Sequence, residues 1–336
     1  MTIGNDRRGF SIRRLISASV LGLIGVLLAV GSDTALADGF PTRPVRYVLP
    51  WPPGGGGDII ARTIAQNLTP LWGQNVFVDN RPGAAGNIGA ELLSRSAPDG
   101  YTIGQIDVSM AINASLHPEE SPDPIRDFTP IIWAAVIPQV LVVHPSVPAK
   151  SVAELLALAR ATPGKLTYAS AGIGSALHLA GAQFTYLAKV DILHVPYKGG
   201  GPALTDLLSG QVSMMFGNLA ALIPQINSGN LRALAVTGTH RSAVVPTLPT
   251  VAEAGLPGYE FSTWFAVVAP TGAPPEIMQQ MNRDIGKVLR LPAVQAALAR
   301  QGAEITGGTS AELASHIEAE VTRWREIVKA TGIRAE

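Results

Sequence analysis

Val45-Arg46-Tyr47-Val48-Leu49-Pro50-Trp51-Pro52-Pro53-Gly54-Gly55-Gly56-Gly57-Asp58-Ile59-Ile60-Ala61-Arg62 reads as a strand, a glycine-rich loop and the opening of a helix. Val45 to Leu49 is a short apolar run that stops at a proline-rich turn. Beyond the glycines, Ile60, Ile64, Leu68 and Leu71 recur at helical spacing. A helix start presents unpaired backbone N–H groups and the positive end of the helix dipole. Glycine lets a ligand approach that backbone closely. Three further loops have the same form: Pro82-Gly83-Ala84-Ala85-Gly86-Asn87, Ser170-Ala171-Gly172-Ile173-Gly174-Ser175 and Tyr197-Lys198-Gly199-Gly200-Gly201-Pro202. Several such loops converging make an anion site built mostly from main chain.

Outward from the first loop the same unit recurs. Val76 to Asp79 reads as a strand, followed by the second loop and a helix near 87–96. Pro98-Asp99-Gly100 is a turn before a strand at Tyr101 to Ile106. Gln139 to Val143 is a further strand, and Ser151 with Glu154 forms a capping box opening an amphipathic helix. Strands at 166–169, 192–195 and 212–216 alternate with helices from about 175 and over 202–209. Arg232 to Thr237 and Trp264 to Ala269 are the last clear strands. The tail is helical, with Ile277, Met281, Ile285 and Val288 on one face, and Thr309 with Glu312 opening a final helix. Strand, loop and helix in repetition predict an α/β fold of mainly parallel sheets. The reading gives two lobes: residues 38–140 with 265–336, and residues 141–264, hinged near 138–141 and 261–266.

Composition sets the class. The 336 residues suffice for two domains, and 25 basic residues balance 25 acidic ones, so nothing marks a nucleic-acid partner. There is no cysteine, hence no disulfide framework and no thiol chemistry. Arg7, Arg8, Arg13 and Arg14 precede an uncharged apolar run from Leu15 to Val30, and Ala35-Leu36-Ala37 is a small-x-small cleavage site. That run is shorter than the ~20 residues a spanning helix needs. Residues 1–37 therefore read as a signal peptide cleaved after Ala37. The expected location is the periplasm, with no stable membrane insertion after cleavage. Arg7-Arg8-Gly9-Phe10 also fits a twin-arginine signal, so the export route is open.

Seven blocks in order resemble one family. They are Pro41-Thr42-Arg43-Pro44-Val45-Arg46 continuing through Pro50 to Asp58 and Ala61-Arg62; Asn80-Arg81-Pro82-Gly83 to Gly89; Ala97-Pro98-Asp99-Gly100-Tyr101-Thr102; Tyr168 to Ser175 with His178; His194 to Gly199 with Asp206 to Gly210; Leu231 to Val236; and Pro249 to Gly255. The chain resembles the periplasmic receptors of tripartite tricarboxylate transporters, the Bug-type receptors. The resemblance implies a two-lobed periplasmic binding fold that closes over a small carboxylate and delivers it to membrane permease subunits. The protein is expected to be non-enzymatic, to use no cofactor and to be a monomer. The resemblance also implies a carboxylate held by loop backbone, hydroxyls and ordered water. The aromatic after Pro50 is often phenylalanine in that family. Trp51 here fits either a bulkier ligand or a different packing.

The candidate ligand residues are Trp51, Pro53, Gly54, Gly55, Gly56, Asp58, Ala84, Gly86, Asn87, Ser170, Gly174, Ser175, His178, Tyr197, Lys198, Gly199 and Asp206. Several have a second reading. Asp58, Asn87 and Ser175 sit where helix caps sit. His178 fits a hydrogen-bonded structural role as well as a ligand contact. Lys198 is either the cation of the site or a solvated side chain. Asp206 either receives a ligand amino group or pairs locally. No metal spacing occurs among the histidines, and neither a G-x-S-x-G elbow nor a phosphate-loop lysine motif is present. An exported hydrolase or lyase acting on a carboxylate, and a receptor read by a signalling partner, are the alternatives.

Overall fold

A computed structural model describes residues 39–116, 119 and 121–331. The signal peptide and cleavage site expected from the sequence lie outside these residues. The chain from Arg43 onward forms one compact unit.

Among the described residues there are ten strands and ten α-helices. In order they are β1 (Val45–Leu49), α1 (Gly56–Trp72), β2 (Val76–Asn80), α2 (Asn87–Ser94), β3 (Thr102–Asp107), α3 (Val108–Leu116), β4 (Phe128–Val143), α4 (Val152–Ala161) and β5 (Thr167–Ser170). Then follow α5 (Ala176–Ala188), β6 (Leu193–Pro196), α6 (Gly200–Leu208), β7 (Met214–Asn218), α7 (Leu219–Asn227), β8 (Arg232–Val236), β9 (Ser262–Pro270), α8 (Pro275–Leu289), α9 (Pro292–Ala299), β10 (Glu304–Gly307) and α10 (Ser310–Thr331).

The strands make two sheets that share β4. In the first sheet, β2, β1 and β3 are parallel, and β9 joins β3 to β4 antiparallel to both. β10 also pairs with β4. In the second sheet, β6, β5 and β7 are parallel, and both β7 and β8 run antiparallel to β4. The sheets are thus mixed rather than mainly parallel. Each has a parallel trio, and the strands common to both halves supply the antiparallel part. β4 pairs with β9 as far as Pro138↔Ser262 and with β7 from Gln139↔Asn218. Its partners change between two consecutive residues.

One apolar cluster runs through both sheets. It contains Val48 and Ile106 of the first, Leu141 and Phe216 of the second, and Leu313, Ile317 and Trp324 of α10. Trp264 of β9 and Trp324 of α10 both donate their indole N–H to buried Glu320, at 2.9 and 3.3 Å. The C-terminal helix is thereby tied to the strand that crosses beside β4.

The local signals explain the elements. Ser151 accepts the Glu154 N–H at the start of α4, and Glu154 reaches back to the Lys150 N–H. Thr309 and Glu312 exchange the equivalent bonds before α10. Five elements exceed the sequence reading: β4 in its first eleven residues, and α3, α7, α9 and β10 as a whole.

Candidate ligand cleft

The six parallel strands β1, β2, β3, β5, β6 and β7 are each followed by a helix, with a loop between in most cases and a 3₁₀ turn after β2. Ligands of open α/β sheets bind at these carboxyl ends. Contacts link the helix starts of α1, α2, α5, α6 and α7, with Asn113 in the body of α3 bridging two of them.

The first loop is built around Asp58, which is buried in the first turn of α1. Its Oδ2 accepts the Gly54 N–H at 3.0 Å and Arg62 Nε at 2.9 Å, and its Oδ1 accepts Asn80 Nδ2 at 3.0 Å. Asn80 Nδ2 also donates to the Trp51 carbonyl. Burial alone would raise the Asp58 pKa; hydrogen bonds from Arg62, Asn80 and Gly54 outweigh it and hold the carboxyl below its ordinary value. Asp58 is therefore not the N-cap, a position Gly55 occupies without a side-chain bond. It folds the loop from inside the helix. The N–H groups of Gly56, Gly57 and Asp58 consequently have no intrahelical acceptor. Pro53, Gly54 and Gly55 are exposed.

Trp51 joins the first loop to the second. A β-carbon placed on Gly86 would lie 3.0 Å from the Trp51 ring, and Gly86 has φ +95°, so only glycine fits there. The Trp51 indole Nε1 is buried without a partner among the described residues. Ala84 opens a single 3₁₀ turn that ends at Gly86. Asn87 is the first residue of α2, not its cap. Its side chain donates to Ser121 Oγ at 2.8 Å and accepts from Asn113 Nδ2 of α3 at 2.9 Å.

Asn113 leads on to the third loop, where its Oδ1 is 3.9 Å from the β-carbon position of Gly174. Ser175 caps α5, accepting the His178 N–H and donating to the Gly172 carbonyl at 2.7 Å. The Gly174 N–H donates to His178 Nδ1 at 3.1 Å, which places the ring proton of a neutral His178 on Nε2. His178 stacks on His194 at 4.0 Å, and Ser170 Oγ bonds His194 Nε2 at 2.6 Å. Burial, with His194 adding to it, lowers the His178 pKa to about 3, and burial lowers that of His194 to about 4. Both are neutral scaffolding in the fold.

The fourth loop abuts the third, with the Tyr197 carbonyl 3.2 Å from the β-carbon position of Gly172. Gly199 is the N-cap of α6. Asp206 accepts the Tyr197 hydroxyl at 2.8 Å, and burial together with Asp206 pushes that phenol up to about 12. Lys198 is exposed and forms no ion pair among the described residues.

Besides Asn113, two further residues absent from the sequence reading lie at these strand ends. Asn218, at the end of β7, caps α7 through Oδ1, and its Nδ2 is 3.7 Å from the β-carbon position of Gly56. An asparagine before the apolar run Leu219-Ala220-Ala221-Leu222 is a cap signal that marks this helix. Asp107 ends β3, two residues after Gln105, whose side chain donates to the Gly57 carbonyl. It accepts the Ser109 N–H at 2.9 Å, and burial pushes its carboxyl up to about 7 against that bond. Nothing in the sequence distinguishes Asp107, because its burial comes from strands distant in the chain.

The sequence profile of the tripartite tricarboxylate transporter family receptor, TctC, matches residues 60–333. This chain belongs to that receptor family. Protein BugT of Bordetella pertussis is 38% identical over 319 residues, covering 94% of this chain and 98% of BugT. The structure of R. palustris Rpa4515 with adipate superposes with a TM-score of 0.78 at 40% identity, covering 88% of this chain and 99% of Rpa4515. MatC of Rhodopseudomonas palustris, with bound malate, gives a TM-score of 0.75 at 31% identity, covering 86% of this chain and 100% of MatC. The family's periplasmic-receptor fold and solute-receptor role are those of this chain. Among the described residues no helix is long and apolar enough to cross a membrane.

Proposed function

We propose that the protein captures a small aliphatic dicarboxylate between its two sheets and hands it to the membrane subunits of a tripartite transporter. The observation that carries this is the set of glycine-rich helix starts at the carboxyl ends of the parallel strands, with the α1 start at Gly56 lying beside the Asn218 side chain that ends β7. Donors of this kind suit a carboxylate and need no cation. The adipate and malate of the two R. palustris structures give the ligand class. Lobes 38–140 with 265–336 and 141–264 close about the point where β4 changes partners; β9 beginning at Ser262 supports the second crossing. The ligand-binding set is the one drawn from the sequence without Asp58, His178 and Asp206, and with Asn218 and Asn113 added. Asp58, His178, His194 and Asp206 serve it by holding the loops. The protein works as an exported monomer, cleaved after Ala37, and returns its ligand chemically unchanged.

The test is calorimetric titration of the refolded mature protein with adipate, malate and a monocarboxylate of equal length, hexanoate. One saturable dicarboxylate site per chain, unchanged ligand in the recovered solution and much weaker hexanoate binding are expected. Binding that ignores the second carboxylate, or any turnover, rejects the reading.

A further inference from the structure

The six parallel strands end in Leu49, Asn80, Asp107, Ser170, Pro196 and Asn218. Of these, Asp107 alone can carry a charge, and it is buried. Its place has a counterpart in the other half. β3 and β7 are each the third parallel strand of their sheet, and each borders an antiparallel crossing strand, β9 or β4. Each passes straight into a helix. Asn218 caps α7 by accepting the N–H two residues on, and Asp107 does the same for α3, from Ser109 at 2.9 Å. A neutral amide and an acid therefore hold equivalent positions.

Both positions border the start of α1. Asn218 Nδ2 is 3.7 Å from the β-carbon position of Gly56. The β-carbon position of Gly57 is 2.8 Å from Gln105 Nε2 and 3.1 Å from the Phe265 ring. Gln105 shares a face of β3 with Asp107, and Phe265 is the ladder partner of Asp107. The opposite face of β3 belongs to Gly104, which packs on Leu93 of α2. Asp107 is thus on the α1 side of the sheet. Counted on from the pair Val48↔Gly104, it stands level with Trp51, in the first glycine loop.

The surrounding elements give it no counter-charge among the described residues. β9 and α3 contain no ionisable side chain. β1 presents Tyr47, whose buried hydroxyl bonds Gln105, and Arg46, which pairs with Asp79. Asp58 and Arg62 of α1 pair with each other, as do Glu91 of α2 and Arg95. On α10, which packs against α3, Glu320 is held by Arg323, and His316 is neutral because burial lowers its pKa to about 4. Ser109 alone lowers the Asp107 pKa, through its N–H and its hydroxyl; burial outweighs it and pushes the carboxyl up to about 7.

We propose that Asp107 couples anion capture to a proton: it takes up one proton from solvent as a ligand carboxylate arrives at the α1 start, and returns it when the ligand leaves. The inference rests on the reading of the cleft as a carboxylate site. A second negative charge near a poorly hydrated carboxyl makes the ionised form costlier, and protonation relieves it without direct contact. The neutral acid still accepts the Ser109 N–H, so the cap survives. The sign is fixed by linkage. Affinity rises as pH falls from about 9 toward 7, and levels off below about 7, where the free protein already carries the proton.

Adipate is the probe, titrated by calorimetry into the refolded mature protein at about pH 8 in phosphate and in Tris, whose ionisation enthalpies differ. Uptake of roughly half to one proton per ligand is expected, with about tenfold weaker binding at pH 9 than at pH 7. Asp107→Asn keeps the capping oxygen and cannot titrate. Its uptake should vanish, and its adipate affinity should be flat over the same range. In the wild type, the carbon-13 signal of the Asp107 carboxyl should titrate about one to two pH units higher with adipate bound. Binding without proton uptake, uptake retained in Asp107→Asn, or an unmoved carboxyl titration would overturn the inference and leave the carboxylate reading standing. Failure of both adipate and malate to bind would overturn the two together.

Discussion

The two glycines Gly55 and Gly86 look alike in sequence and differ in what they permit. Gly86 has a positive φ and the Trp51 ring against it, so a larger residue there disturbs two loops. Gly55 has extended backbone, φ −79°, and nothing within 4 Å of its β-carbon position. Gly55→Phe is therefore expected to fold with wild-type stability and to lose adipate affinity by at least about 100-fold, roughly 2.7 kcal/mol. Retained affinity in a calorimetric titration would remove the α1 start from the site. The buried titratable groups make a second expectation. His178 and His194 have depressed pKa values, so their contribution to stability is complete above about pH 6.5 and lost as pH falls toward 4. Asp107 is raised to about 7, so the cost of keeping it in the fold grows as pH climbs from about 4 to 7 and then levels off. Asp107→Asn removes that opposing slope. The stability of the variant relative to wild type should rise across this window by up to about 1.4 kcal/mol per pH unit and be flat above it. Parallel denaturation curves from pH 4.5 to 8 would show that Asp107 does not titrate there.

Elements opened by a local chemical signal could be read from the sequence, and elements set by their surroundings could not. Ser151 with Glu154, Thr309 with Glu312, Ser175 and the glycine runs each announce a helix start whose bonds depend on residues within four positions. Ser151→Ala should accordingly cost about 1 kcal/mol, seen as a lower urea midpoint at unchanged slope. An unchanged midpoint would mean that packing alone sets α4. The first part of β4 was missed because Pro130 and Pro138 argue against a strand. The chain accommodates the ladder there with irregular registers between Pro130 and Ile132 and between Trp133 and Ala135. α3 was missed because Val108 to Asn113 are all buried, which erases the one-sided apolar stripe that marks a surface helix. The same limit applies to the site. The glycine loops and Ser175 were visible as types, whereas the partners of Asn87, Asp58 and His178 come from Asn113, Asn80 and His194, brought close only by the fold. The sequence offered cap or ligand contact for Asp58 and Asn87; neither is an N-cap, and each ties two loops together through its side chain.

At the scale of the whole molecule, the two sheets are not separate bodies joined by cord. β4 is an interior strand of both, and one apolar cluster crosses from Val48 to Phe216 and is closed by Trp324 of α10. Unfolding is thus expected as a single event. Tryptophan fluorescence, whose five reporters include Trp51 and Trp264 but none between residues 141 and 263, should lose signal at the same urea concentration as far-ultraviolet circular dichroism. Two separated transitions would mean that the halves fold independently. The shared strand also bears on how such receptors diversify. A new specificity cannot be assembled by exchanging one half of the molecule for that of a relative at the 138–139 junction, because the cut falls inside a strand whose two ends are packed by different partners. A recombinant needs β4 from a single parent, together with the β9 register and the α10 face that fit it. Point changes in the six loops disturb none of these, so they are the cheaper route by which a lineage acquires a taste for a different solute.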